Sequence, residues 1–184
     1  MIVAVKKNNN IVVGISTTDT YDGQTERDML LQDNVPFWKV GGTDDCFVFA
    51  DAPSYTTDVL RYNDDVFKGI SDYNSLIMEV VPKMKELLAE KRCLTDKGLS
   101  AFPLIIVKGD KLFEITTKFL VKEEDEWTSS ENKEAMAGAY EECKDLSAEE
   151  TVLFAYRNIL WHNSNPFPLT LFDATTKKKK IVRR

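Results

Sequence analysis

Hydroxyl side chains of the kind used for nucleophilic catalysis are concentrated near the N-terminus. Ser16, Thr17 and Thr18 are followed by an aspartate, and cleavage before Thr17 or Thr18 would expose a threonine hydroxyl beside its own α-amino group. Such cleavage would also remove both apolar segments that open the chain. We therefore interpret this stretch as a polar strand end entering a loop, and it is a fallback catalytic site only, with Lys39 as a fallback base.

Carboxylates and the single histidine give a second set of candidate ligands. Asp44, Asp45 and Asp51 flank one apolar segment, and their oxygens suit a hard cation such as Mg²⁺. Aspartates at strand ends also cap turns, and we predict no metal and no cofactor. The only histidine is His162, which leaves little for a His-based metal site or a Ser-His pair.

The cysteines indicate the redox environment. Cys46, Cys93 and Cys143 are odd in number, widely spaced and without a CxxC pair. This pattern argues against structural zinc and against a disulfide framework. It favours a reducing cytoplasm.

Apolar periodicity predicts the elements that position these residues. The first two strands, Ile2–Val5 and Ile11–Ile15, are joined by an Asn-rich turn, which is typical of a hairpin. The other predicted strands are Val35–Val40, Cys46–Ala50, Leu104–Val107, Leu112–Ile115, Phe119–Lys122, Leu169–Phe172 and Ile181–Val182. The predicted helices are Ser54–Tyr62, Asp72–Arg92 with Pro82 inside it, one opened by a Thr128/Glu131 capping box, and one opened by Ser147/Glu150 and reaching residue 161. Hairpins with segregated helices predict an α+β fold with antiparallel sheets.

Charge is distributed unevenly along the 184 residues. The chain has 24 basic and 30 acidic residues, and residues 177–184 hold six of the basic ones, which leaves 18 against 30 elsewhere. An acidic body argues against general nucleic-acid binding. We predict that 177–184 forms a solvated basic edge strand or tail and that the acidic run Glu123–Glu126 is a solvated loop. No segment has the length to span a membrane, and we predict a single domain over 1–184.

Two segments resemble proteasome β-type subunits and the bacterial proteasome-like peptidase that works with an unfoldase. The opening Ile2–Gly14 is similar to their first strand pair, and Leu146-Ser147-Ala148-Glu149-Glu150 is similar to their Leu-Ser-Ala-x-Glu segment. The order of strands and helices is also similar. The resemblance implies a four-layer αββα sandwich of two antiparallel sheets, the N-terminal nucleophile fold, and assembly into a homo-oligomer such as a ring.

The positions that carry catalysis in that family differ here. Active members expose a threonine immediately before the first strand, with its own amine as base. Here Met1 stands before Ile2, the family's aspartate position falls on Ser16, and its lysine falls near Pro36 or Phe37, with Lys39 as an offset candidate.

The resemblance therefore implies a non-catalytic subunit that acts in self-assembly or in binding and regulating a protein partner. Two alternatives stay open. One is an N-terminal nucleophile hydrolase, a peptidase or amidase, that uses an unrecognised or processed nucleophile. The other is an α+β protein-interaction module.

Overall fold

The computed structural model describes residues 1–16, 37–50, 54–159 and 168–183. Its strands are β1 (Ile2–Lys7), β2 (Asn10–Ser16), β3 (Phe37–Lys39), β4 (Cys46–Ala50), β5 (Leu104–Lys108), β6 (Lys111–Ile115), β7 (Val121–Glu124), β8 (Trp127–Ser129), β9 (Leu169–Asp173) and β10 (Lys178–Val182). Its α-helices are α1 (Tyr55–Tyr62), α2 (Tyr73–Ser75), α3 (Val81–Glu90), α4 (Lys133–Glu142) and α5 (Ala148–Phe154). A 3₁₀ turn (Asp64–Phe67) follows α1, and π-helical segments (Leu76–Val80 and Ala155–Ile159) follow α2 and α5.

The described residues form two compact units, each built on one five-stranded antiparallel sheet. The first unit takes the two ends of the chain, through residue 16 and from residue 125 onward. Its strand order is β10-β9-β2-β1-β8. The second unit takes residues 37–124, with the order β3-β4-β5-β6-β7.

The predicted N-terminal hairpin is confirmed. Strands β1 and β2 pair antiparallel, with Ile2 opposite Ile15 and Lys7 opposite Asn10. Asn8 and Asn9 make the turn with φ of 51° and 60°, a left-handed conformation that asparagine tolerates better than most residues.

Helices α4 and α5 with the following π segment cover one face of the first sheet. Val3 and Val5 of β1 share a hydrophobic cluster with Val152 and Tyr156. Helix α5 begins as predicted: the Ser147 hydroxyl accepts from the backbone N–H three residues on, and the carboxylate there accepts from the Ser147 N–H.

The second sheet is centred on the hairpin of β5 and β6. Leu104 lies opposite Ile115, and the two-residue turn contains Gly109 with φ of 58°. The predicted helix over 72–92 is present as α2, a π segment and α3. Pro82 lies in the first turn of α3, directly after the π segment, where its missing N–H costs no regular helical hydrogen bond.

Three predictions of local structure are wrong, wholly or in part. The Thr128/Glu131 box does not open a helix, because Thr128 lies in β8 and pairs with Ala4 of β1. Helix α4 begins later, after Asn132 with φ of 51°, and has no side-chain cap. The strand predicted over Phe119–Lys122 begins at Val121 instead.

A left-handed turn accounts for that shift. Phe119 has φ of 61° and donates its N–H to the carbonyl of Thr116 at 2.8 Å. The acidic run is likewise not wholly a loop, since its first two residues belong to β7.

Candidate functional site

Met1 occupies the position directly before β1. It is 3% exposed and belongs to the hydrophobic cluster that also contains Val3, Leu169 and Tyr156. A thioether has no proton to give up and does not act as an acyl-transfer nucleophile. The Met1 side chain therefore contributes packing and offers no nucleophile.

The main chain of Met1 is held by two elements. Its carbonyl oxygen accepts from the Ser16 N–H at 3.1 Å and from the Tyr156 hydroxyl at 2.8 Å. The same hydroxyl lies 2.9 Å from the carbonyl oxygen of Gly14, so its single proton is shared between two acceptors. Tyr156 is fully buried, which makes these the partners that its polar end requires.

Gly14 allows this close approach. A Cβ at residue 14 would lie 2.5 Å from a Val152 methyl carbon and 2.8 Å from a Tyr156 ring carbon. Both distances are far inside van der Waals contact. The missing side chain on β2 thus lets α5 and its π segment pack closely enough for Tyr156 to reach Met1.

Serine hydroxyls on the other side of β1 are used for backbone contacts. The Ile2 N–H donates to Ser130 Oγ at 3.0 Å, and the Ser130 N–H donates to the Ile2 carbonyl at 3.0 Å. Ser129 is fully buried, and its hydroxyl donates to the Glu131 carbonyl. These contacts fix the first residues of the chain.

The structure places the residues that the sequence suggested for catalysis in different units. Ser16 ends β2 in the first unit and is 6% exposed. Lys39 lies in β3 of the second unit and pairs with Asp44 at 2.9 Å, its side chain 49% exposed. Thr17 and Thr18 lie outside the described residues.

Phe37, one of the residues near the predicted lysine position, is aromatic. Phe37 stacks on Phe49 with ring centroids 5.3 Å apart, while Pro36 lies outside the described residues. A phenyl ring carries no positive charge, so Phe37 cannot replace a lysine beside a nucleophile.

Cys46 begins β4 and belongs to the hydrophobic core of the second unit. Burial raises the pKa of its thiol to about 12, although Lys108 nearby lowers it and Asp45 adds to the rise. A thiol that stays protonated at neutral pH is unreactive. Within the described ranges, no group of three or more His, Cys, Asp or Glu side chains is placed to hold a metal ion.

A lysine on the first unit acts as a structural cation. Lys7 Nζ donates to the Leu146 carbonyl at 3.1 Å and to Thr151 Oγ1 at 3.0 Å, as well as to the Cys143 carbonyl, and it lies 4.8 Å from the centre of the Tyr140 ring. It ties the β1–β2 turn to the connection between α4 and α5.

Beside Lys7 lies an open depression of about 610 Å³. Its lining carries both signs of charge: Lys6, Lys7, Lys144, Asp125, Glu126 and Asp145. This mixture gives no preference for an anion or a cation, and we assign the depression no ligand.

Sequence reasoning missed Tyr156 and Ser130 as partners of the N-terminal residues. The apolar stripe of the last helix includes Tyr156, and a buried tyrosine needs a hydrogen-bond acceptor, but no local pattern identifies an acceptor more than 150 residues earlier. Ser130 gives no sequence signal at all.

Solved structures share this architecture, whereas sequence comparison finds no relative. No family model matches the chain, and no curated protein matches it. Among solved structures, BPH from Thiobacillus denitrificans, in a structure with epoxomicin, aligns at 16% identity over 94% of this chain and 96% of its own, with a TM-score of 0.67.

Two further structures align over similar lengths. Anbu, the ancestral β-subunit from Yersinia bercovieri, matches 100% of this chain and 86% of its own at 14% identity and a TM-score of 0.62. Eukaryotic HslV from Trypanosoma brucei matches 94% and 97% at 11% identity and a TM-score of 0.59.

These neighbours are proteasome-like proteins, and the chain has the proteasome β-type fold. The predicted α+β class with two antiparallel sheets is confirmed. None of the helices in the described part of the chain is both long and apolar enough to cross a bilayer.

Proposed function

We propose that this chain is a non-catalytic proteasome-like subunit that acts by self-assembly or by binding and regulating a protein partner. The observation that carries the proposal is the burial of Met1, which is 3% exposed and packed in the core of the first unit. The place of the nucleophile is filled by a side chain that contributes to stability. The proteasome β-type fold supports a role as a subunit of an assembly.

The neighbouring positions support the same conclusion. Ser16, at the family's aspartate position, carries no charge that could hold a catalytic amine or lysine. Phe37, near the lysine position, is engaged in a ring stack. Acyl transfer needs a nucleophile with a base within hydrogen-bond reach. The Met1 side chain is no nucleophile, and neither Ser16 nor Phe37 supplies the charged group expected beside one.

Organisation and location complete the proposal. We infer that residues 1–184 act as one proteasome-like domain whose basic segment 177–184 is its outer strand, and that the chain forms a homo-oligomer. A reducing cytoplasm suits its cysteines, since Cys46, Cys93 and Cys143 are all free and buried.

The test of the proposal is covalent labelling of the intact protein. The purified chain is incubated with fluorogenic peptides and with hydroxyl- and thiol-directed inhibitors, including the epoxyketone epoxomicin, and its intact mass is measured. BPH from Thiobacillus denitrificans, whose structure contains epoxomicin, is the positive control. We expect no turnover, no adduct and a chain that keeps its first residues.

The opposite result has a defined form. An adduct on Ser16, Thr17, Thr18 or Cys46, or loss of about sixteen N-terminal residues that exposes Thr17, would replace this proposal with an N-terminal nucleophile hydrolase. A monomer without activity would favour the simple interaction module.

A further inference from the structure

Two outer strands of opposite charge lie at the edges of the two sheets. Strand β10 is the last strand of the first sheet and β7 is the last strand of the second. In the described ranges, β10 pairs with β9 alone and β7 pairs with β6 alone. An edge strand presents backbone N–H and C=O groups along its outer side, and a strand from another chain can pair with them.

The basic edge is exposed along most of its length. Residues 177–181 and Arg183 are all exposed. Lys180 contacts Glu149 at 2.7 Å, but these two side chains are 60% and 40% exposed. An ion pair this open to water contributes little, so Lys180 can exchange Glu149 for another carboxylate.

The acidic edge has the complementary character. Glu123 in β7 and both residues of the following turn, Asp125 and Glu126, are exposed. Leu120, just before β7, is 59% exposed, which places an apolar side chain at the end of the acidic stretch. On β10 the exposed apolar residue is Ile181, 42% exposed.

The other two edge strands are poor docking sites. β3 and β8 have three residues each. In β8, Thr128 and Ser129 are 1% and 0% exposed, so its polar groups face the interior. The two charged strands are therefore the longer edges that a partner strand can use.

Charge selects which edges can meet. Two β10 strands side by side would bring their lysines together, and like charges close to one another destabilise a pair. Strand β7 and its following turn carry four carboxylates, Glu123 to Glu126, against the one lysine Lys122. A β10 strand beside a β7 strand joins opposite charges. We propose that β10 of one copy adds antiparallel to β7 of a second copy; this rests on the proposed function, because it supplies the interface for self-assembly.

One antiparallel register satisfies both charge and hydrophobicity. It places three lysines opposite three carboxylates and one valine opposite another, with Ile181 opposite Lys122 between them: Lys178 with Asp125, Lys179 with Glu124, Lys180 with Glu123, and Val182 with Val121. Each opposite-charge pair adds to the backbone hydrogen bonds of the new ladder. Because the two strands are different elements, the contact is head-to-tail and propagates into a closed ring or an open filament.

The test uses two charge-reversed variants of the full chain. The first carries Lys178→Glu and Lys179→Glu, and the second carries Glu124→Lys and Asp125→Lys. Sedimentation velocity over a concentration and salt series measures self-association. We expect each variant alone to associate at least about 10-fold more weakly than the wild type, and the wild-type association to weaken with salt.

Mixing the two variants gives the decisive result. In an equimolar mixture the acidic β10 of the first meets the basic β7 of the second, and the unchanged edges also meet, so every contact joins opposite charges again. We expect the mixture to regain wild-type association. A variant that failed to fold could not be rescued in this way.

A matched control reverses charge away from both edges. Lys68→Glu with Lys91→Glu changes two lysines whose side chains are 50% and 40% exposed and which pair locally with Asp65 and Glu90. We expect this variant to associate like the wild type, although it has the same net charge as the Lys178/Lys179 variant.

The outcomes separate this inference from the proposed function. An oligomer that neither edge reversal affects overturns the strand pairing and leaves the non-catalytic subunit intact. A wild-type monomer at tens of micromolar overturns the pairing and the self-assembly role together. A polyglutamate peptide that binds the monomer, and that the Lys178/Lys179 variant fails to bind, replaces the second copy with a foreign acidic strand and also overturns the proposal.

Discussion

The contact between Gly14 and the helix above it gives the sharpest stability prediction. In Gly14→Ala the new methyl would lie 2.5 Å from a Val152 methyl carbon and 2.8 Å from a Tyr156 ring carbon. Carbon atoms in proteins are best separated by about 3.5–4.0 Å. Val152 and Tyr156 belong to one continuous helical segment, so neither can move away without displacing the other.

The magnitude follows from two opposing effects. Overpacking of a well-packed core costs about 1–3 kcal/mol, and two simultaneous contacts favour the upper end. Alanine also restricts the unfolded chain, which offsets about 0.4–1 kcal/mol where the backbone tolerates it. The clash is larger, and we expect the free energy of unfolding to fall by about 2 kcal/mol and Tm to fall by roughly 4–8 °C.

Urea denaturation and thermal melting check this prediction, with Gly138→Ala as the matched control. Gly138 lies inside α4 and no atom lies within 4 Å of the point that an alanine methyl would occupy, so alanine there should stabilise the helix by up to about 1 kcal/mol. In Gly14→Ala with Val152→Ala, the nearer clash is gone, so the loss should be smaller than the sum of the single losses. Full additivity, or a Gly14→Ala protein as stable as the wild type, would refute the reasoning.

Three further perturbations test the contacts around the N-terminal residues and the core. Lys7→Met should lower the free energy of unfolding by about 1.5–3 kcal/mol because its ammonium bonds carbonyl groups of the α4–α5 connection, whereas Lys144→Met at an exposed surface pair should change it by less than about 0.5 kcal/mol in urea melts. Tyr156→Phe should cost about 1–2 kcal/mol, since the carbonyl of Met1 loses a buried donor; an unchanged urea midpoint would contradict this. Burial raises the pKa of the Cys46 thiol from 9.0 to about 12 in the folded state, so the unfolded state loses this proton at lower pH. The free energy of unfolding should therefore fall above pH 9 by up to about 1.4 kcal/mol per pH unit until about pH 12. Urea melts from about pH 8 to 10.5 should show this slope in the wild type and a flatter one in Cys46→Ala.

Elements fixed by local chemistry could be predicted from the sequence. The β1–β2 hairpin follows from Asn8 and Asn9 between two apolar segments, and the start of α5 follows from the box that Ser147 opens. In both cases the residues that decide the structure lie within a few positions of one another. Turn and cap rules act over this range, and the structure agrees with them.

Elements decided by distant contacts could not be predicted in the same way. Thr128 has the sequence neighbours of a helix cap, but pairing of β8 with β1 gives its backbone a ladder partner more than 120 residues away. A cap contributes about 1 kcal/mol, and a strand that joins a sheet gains several hydrogen bonds and a buried face, so the sheet prevails. The prediction of a strand that begins at Phe119 is wrong for a different reason. The left-handed turn at this residue produces no pattern of apolar residues that the sequence could reveal.

The candidate site likewise has some features that follow from nearby residues and others that depend on distant contacts. The sequence identifies Met1 as the residue before the first strand, and the resemblance to proteasome β-type subunits implies a carboxylate where Ser16 stands. It does not show that Tyr156 reaches both Met1 and Gly14, because that contact depends on how closely a helix approaches a glycine in β2.

A fold of this kind does not by itself imply its chemistry, because function resides in side chains placed on the fold. Here the side chain at the critical place contributes to packing. Met1 lies in the same cluster as Val3, Val152 and Tyr156, and its carbonyl is a hydrogen-bond acceptor for the helix that covers the sheet. Replacing it with a threonine would bury a hydroxyl among apolar groups and remove part of that packing. Under the proposed function, the methionine at this position therefore favours stability over N-terminal catalysis.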